Sequence, residues 1–120
     1  MKTTDLQIGD WYTNSDGDIC KVVKNLGNIV WGQGDDVTDS TDAPNPIPLT
    51  VEILEKNGWK DDGLWHEYQD GTNIIQSCLP DMRGIINGIE IKEFQCKYVH
   101  QYQHLLRLCS LNDLADNFKV

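Results

Sequence analysis

The sequence predicts an α+β fold: a small N-terminal SH3-like β unit, then a short helix, antiparallel β hairpins and one C-terminal amphipathic helix packed on the sheet. Three observations predict it. Short apolar runs in the first third are separated by Gly-Asp, Asp-Gly and Leu-Gly-Asn turns. Pro44, Pro46 and Pro48 then hold the chain extended and forbid a helix across them. Residues 97–109 form the longest stretch with a helical apolar period. The 120 residues have room for one compact domain, read as a β unit at 1–42 and an α+β part at 43–120.

In chain order, Leu6–Tyr12 reads as a first strand entered through the Gly9-Asp10 turn. Asp16-Gly17 is a hairpin-type turn, Ile19–Lys24 a β-branched second strand, and Ile29–Trp31 a third after Leu26-Gly27-Asn28. Residues 33–48 are polar and then proline-punctuated, which predicts a linker. Thr50 is a good N-cap for a helix over 51–57, with Leu49 and Leu54 at staple spacing and Gly58 at the left-handed C′ position. Two turns of helix cannot stand alone and must dock on a sheet. Leu64 to Gln69 alternates as a strand should, and Asp70-Gly71 turns the chain into a strand over Asn73–Leu79. Pro80–Gly84 reads as a loop, and Asn87-Gly88 is a strong hairpin signal before Ile89–Lys92.

At 100° per residue, Tyr98, Val99, Tyr102, Leu105, Leu106 and Cys109 share one face of the last long helix. His100, Gln103, His104 and Arg107 share the opposite face, which periodicity alone turns toward solvent. A short terminal helical turn is expected after it, with Ser110 as its cap.

Charge excludes more than it identifies. Ten basic against nineteen acidic residues give a net charge of -9, which argues against partners held by bulk charge: no nucleic acid and no membrane. Asp35, Asp36, Asp39 and Asp42 read as a solvated acidic loop. The start has no apolar leader-like run, so the four cysteines read as free thiols in a reducing cytoplasm.

Catalytic and cofactor motifs fail on inspection. From Asn14, a calcium loop would need glycine at its sixth position and glutamate at its twelfth, where Ile19 and Asn25 stand. Cys96, His100 and His104 are spaced four apart, yet no further ligand motif accompanies them, so no metal and no cofactor is expected. Gly32-Gln33-Gly34 leads into acids and prolines rather than a helix N-terminus, so it is no phosphate cradle. No Ser, Thr or Cys lies beside a base and an orienting group. Trp11, Trp31, Trp59 and Trp65 are a high share for so small a chain; most should be core, with one or two left to anchor a partner.

Ile47-Pro48-Leu49-Thr50-Val51-Glu52-Ile53-Leu54, Asn57-Gly58-Trp59 and Tyr98-Val99-His100-Gln101-Tyr102-Gln103-His104-Leu105 together resemble a widespread family of small uncharacterised proteins. The family comes from gut anaerobic bacteria and their phages and mobile elements. This sequence differs from its usual pattern at Val51, Tyr102 and His104. The resemblance implies the fold and an origin, and no activity.

These readings converge on a non-catalytic binding protein: a phage or mobile-element accessory or inhibitor protein acting on a host protein, or sequestering a small nucleotide-like signalling molecule. The expected contacts are His100, Gln103, His104 and Arg107 on the helix, Arg83 for phosphate, and Trp65 as a stacking ring. The alternatives are a nucleic-acid-associated SH3-like module and a small enzyme. Self-association as a homo-oligomer is left open by the sequence.

Overall fold

Tight turns lay out the first sheet. β1 (Trp11–Thr13), β2 (Ile19–Asn25), β3 (Val30–Gln33) and β4 (Thr38–Thr41) form an antiparallel meander in the order β1-β2-β3-β4. The computed structural model describes the chain outside residues 64, 79–82 and 92–95, and outside the side chains of 78, 83–85 and 89–91. Gly17 and Gly27 take positive φ in the two hairpin turns.

Two strand expectations change. The first strand starts at Trp11, because Thr3–Asp5 is a 3₁₀ turn and the chain bends at Gly9, φ +92°. Asn25 pins that turn by donating its side-chain amide to the carbonyls of Thr3 and Leu6, both at 2.9 Å. The linker at 33–48 contains β4, which has no apolar residue; its register with β3, from Val30↔Thr41 to Gln33↔Thr38, makes it a strand. The inner face of this sheet carries a small core of Leu6, Tyr12, Cys20, Val22 and Val30. Gly32 is required there, since a Cβ would lie 2.1 Å from the Tyr12 hydroxyl.

α1 (Val51–Lys56) follows as its cap predicts: the Thr50 hydroxyl accepts the Ile53 N–H at 3.2 Å. Leu49 and Leu54 are both buried. Gly58 closes the helix with φ +94°, donating to Glu55 O at 3.0 Å, while Trp59 N–H reaches Leu54 O at 3.1 Å. The second sheet runs β5 (Lys60–Asp61), β6 (His66–Asp70), β7 (Asn73–Cys78), β8 (Arg83–Ile86) and β9 (Ile89–Ile91), in that order and antiparallel throughout. Asn87 and Gly88, with φ +53° and +81°, form the expected hairpin turn. Of the expected loop 80–84, residues 80–82 lie outside the described part, and Arg83 and Gly84 open β8 instead. Leu64, Leu79 and Lys92, read as strand residues, also lie outside it.

α2 (Val99–Leu108) and α3 (Asn112–Asp116) complete the chain. Ser110 does not cap α3. It ends α2 at φ +63°, donating to Arg107 O at 3.0 Å, and Leu111 N–H reaches Leu106 O at 2.9 Å. Both helix ends therefore use one motif, with glycine in α1 and serine in α2. The larger core joins Leu54 of α1, Ile75 of β7, Leu105 and Leu106 of α2, and Phe118. Trp59 sits at its centre, with ring centroids 4.6 Å from Tyr68, 5.7 Å from Tyr102 and 5.9 Å from Phe118. Among the described residues, no helix is long and apolar enough to cross a membrane.

Candidate functional site

The polar strip of α2 faces the protein, not solvent. His100 is 5% exposed and Gln103 fully buried, while His104 and Arg107 are partly covered. The cover is the segment leading into β1. Gln103 accepts the Trp11 backbone N–H at 3.1 Å and donates to Gly9 O at 2.8 Å and Ala115 O at 3.1 Å. Asp10, fully buried, receives Arg107 Nη1 at 2.6 Å on one oxygen and faces His104 Nε2 on the other. Arg107 also reaches Asp116 at 3.2 Å and Ile8 O at 3.3 Å. The expectation of a solvated, partner-facing strip is thus corrected: its donors and acceptors satisfy backbone and carboxylate groups that burial would leave unpaired.

His100 is the exception within that strip. Its Nδ1 has no hydrogen-bond partner, and burial, with the charge of neighbouring His104, lowers its pKa below the usual imidazole value. Thr4, Asp5, Gln7 and Gln101 surround it in a polar cleft of about 430 Å³. Among the described residues, no three His, Cys, Asp or Glu side chains gather as a metal site. Cys20, Cys96 and Cys109 are free thiols, and burial pushes Cys96 up to about 12; the side chain of Cys78 lies outside the described residues.

Trp65 and Arg83 do not join these residues. Trp65 lies in the turn between β5 and β6, its backbone N–H donating to Asp62 at 2.8 Å. The backbone of Arg83 pairs opposite Cys78 at the start of β8, and its side chain lies outside the described residues.

Strand register reveals a surface that sequence reasoning missed. One face of the first sheet carries the rows Trp11–Lys21–Gln33–Thr38 and Lys24–Trp31–Ser40, with Thr13–Ile19 beside them. No carboxylate occupies any of these positions, in a chain with nineteen acids. Asp39 belongs to the opposite face, where it accepts the Tyr12 hydroxyl at 3.0 Å. That contact and burial, the larger effect, raise the tyrosine pKa. A bulge between Val22 and Lys24 leaves Val23 exposed as well. Ile19, Val23 and Trp31 are 46%, 52% and 41% exposed, so large apolar groups and lysines share this face. The signal in the sequence was the alternation Ile19, Lys21, Val23, but its direction depends on which face Tyr12 and Val22 cover.

At one end, this face meets the C-terminal tail and forms a groove of about 470 Å³. Trp11 donates its indole N–H to Phe118 O at 2.5 Å, and Lys21 Nζ lies 5.5 Å from the Trp11 ring centroid. Asn57 clamps the tail by exchanging two 2.7 Å hydrogen bonds with the Lys119 backbone. No family model, no curated protein and no solved structure matches this chain. Its function is therefore argued from the chemistry of these surfaces.

Proposed function

We propose that this protein is a non-catalytic binding protein whose carboxylate-free sheet face docks an acidic segment of a partner protein. The observation that carries the reading is that face itself: Ile19, Val23 and Trp31 exposed beside Lys21 and Lys24, in a molecule of net charge -9. The apolar groups supply area to bury, and tryptophan is among the side chains enriched at the energetic centres of interfaces. The lysines favour an acidic partner and disfavour a basic one, although the rest of the molecule would attract basic proteins. An accessory or inhibitor role against a host protein fits the origin that the resemblance implies and a reading without bond making or breaking.

The test places a photo-crosslinker at position 40, exposed and paired with Trp31 in the strand register, and sequences the captured partner. Capture of an acidic segment that weakens with salt, and that is lost in folded Trp31→Ser and in folded Lys21→Glu/Lys24→Glu, supports the reading. Equal capture by wild type and both variants, or capture of a basic segment, overturns it.

A further inference from the structure

We infer that the groove between this sheet face and the C-terminal tail binds a small organic anion with an apolar body. Partner docking centres on Trp31 and Lys24, which do not line the groove; the two sites share Lys21, Ile19 and Val23, and the inference does not depend on a partner.

Three lysines from three parts of the chain line the groove: Lys21 of β2, Lys56 at the end of α1, and Lys119 of the tail. They are three of the ten basic residues in the protein. None of them is in an ion pair with a side-chain carboxylate among the described residues. Lys21 is positioned without being neutralised: its ammonium donates to the neutral Asp116 carbonyl at 2.5 Å and lies over the Trp11 ring. Lys56 Nζ is held on the main-chain oxygen of Val120 at 2.9 Å. Asp35 is the one side-chain carboxylate in the lining, at the tip of the β3–β4 turn and exposed.

Between these cations the walls are apolar, formed by Trp11, Ile19 and Val23. A free inorganic ion would use the lysines and leave that surface wet. A neutral apolar molecule would use the walls and leave the positive charge unanswered. A ligand carrying both, an aryl or alkyl phosphate or carboxylate, meets both requirements, and the volume of about 470 Å³ falls in the range of small-ligand sites. Ammonium groups act here as point charges, so head-group geometry matters less than its charge.

Phenyl phosphate and benzoate are the probes, with inorganic phosphate and phenol as controls. Titration of the isotope-labelled protein, followed by amide NMR, reports the site, and calorimetry reports the affinity. Either aryl anion should shift the amides around 11, 19–23, 33–35, 56 and 119, and the tighter one identifies the preferred head group. Inorganic phosphate and phenol should each bind at least about tenfold more weakly. Lys21→Gln, and Lys56→Gln/Lys119→Gln at exposed positions that do not threaten folding, should each lower affinity by about tenfold or more. Trp31→Ser should leave the binding intact. Absence of shifts with both aryl anions, equal affinity for inorganic phosphate, indifference to the Lys56/Lys119 pair, or loss in Trp31→Ser would overturn the inference.

Discussion

Gln103 accepts the backbone N–H of Trp11 across a sequence separation of 92 residues. The same amide donates to Gly9 and Ala115, so one buried side chain ties β1, α2 and α3 together. Gln103→Ala leaves the Trp11 N–H and the Gly9 carbonyl without a partner in a site with no exposure, while Ala115 O keeps the Phe118 N–H at 3.3 Å. At roughly 1–3 kcal/mol for each unsatisfied buried group, partly relieved by water, a loss of about 3 kcal/mol is expected. Gln103→Glu should be no better, because it keeps the acceptor, loses both donors and buries a charge. Urea denaturation measures both variants; a loss below about 1 kcal/mol for Gln103→Ala would show that the clamp is not needed.

Asp10 is completely buried between Arg107 and His104. Removing one partner of a buried pair strands the other, at a cost of about 3–5 kcal/mol, whereas a surface pair contributes about 1 kcal/mol or less. Arg107→Met and Asp10→Asn should therefore each destabilise the protein strongly, and the double variant should lose clearly less than their sum. His104→Ala, which a solvated helix face would tolerate within about 0.5 kcal/mol, should cost more than about 1 kcal/mol because it leaves the second carboxylate oxygen without its imidazole partner. Additive single losses in the cycle would mean that Asp10 is neutralised by something other than this contact.

The two helix ends differ in one respect. Gly58 and Ser110 hold the same left-handed position, but only glycine does so without a Cβ penalty. Ser110 is exposed, so Ser110→Gly should stabilise the protein by about 0.5–1 kcal/mol. Gly58→Ala should destabilise it by more than about 1 kcal/mol, since the added Cβ would also lie 3.1 Å from the Tyr68 ring. Thermal melts of the two variants should move in opposite directions; a shared direction would contradict the cap geometry.

This contrast shows what was legible in the sequence. α1 and the Asn87-Gly88 hairpin are written in local chemistry, a capping hydroxyl and an Asn-Gly pair, and both form where they were expected. The end of α2 uses the same geometry but lacks the glycine that would signal it, so Ser110 reads as a cap for the next helix. Thr38–Thr41 carries no apolar alternation and becomes a strand only through its pairing with β3. The α2 strip is the deepest case. Periodicity separates its two faces correctly, yet polarity does not report exposure when a neighbouring segment brings unpaired backbone groups to be satisfied. Asp10 and Gly9, beside the start of β1, are what His104, Arg107 and Gln103 meet. No spacing within the helix reveals that meeting.

His100 makes acid stability testable. Its folded-state pKa lies below that of an unfolded imidazole, about 6.5, chiefly because burial disfavours the charged ring. The charge of His104 lowers it further, while Asp10 and Asp5 oppose the shift. The unfolded chain therefore binds more protons than the folded one below that pH. Stability from neutral His100 is complete above pH of about 6.5 and is lost as pH falls through the lower folded value, by at most about 1.4 kcal/mol per pH unit. The readout is the difference between two proteins that share every other ionisable group. His100→Phe removes the titrating ring together with the unpartnered Nδ1, and an apolar ring suits a site that offers that nitrogen nothing. Denaturant midpoints measured from pH 7.5 to pH 5, roughly one unit either side of the imidazole value, should fall more steeply for wild type than for His100→Phe. Parallel profiles would mean that His100 gains its proton as readily in the folded protein as in the unfolded chain, and that the cleft around it admits charge.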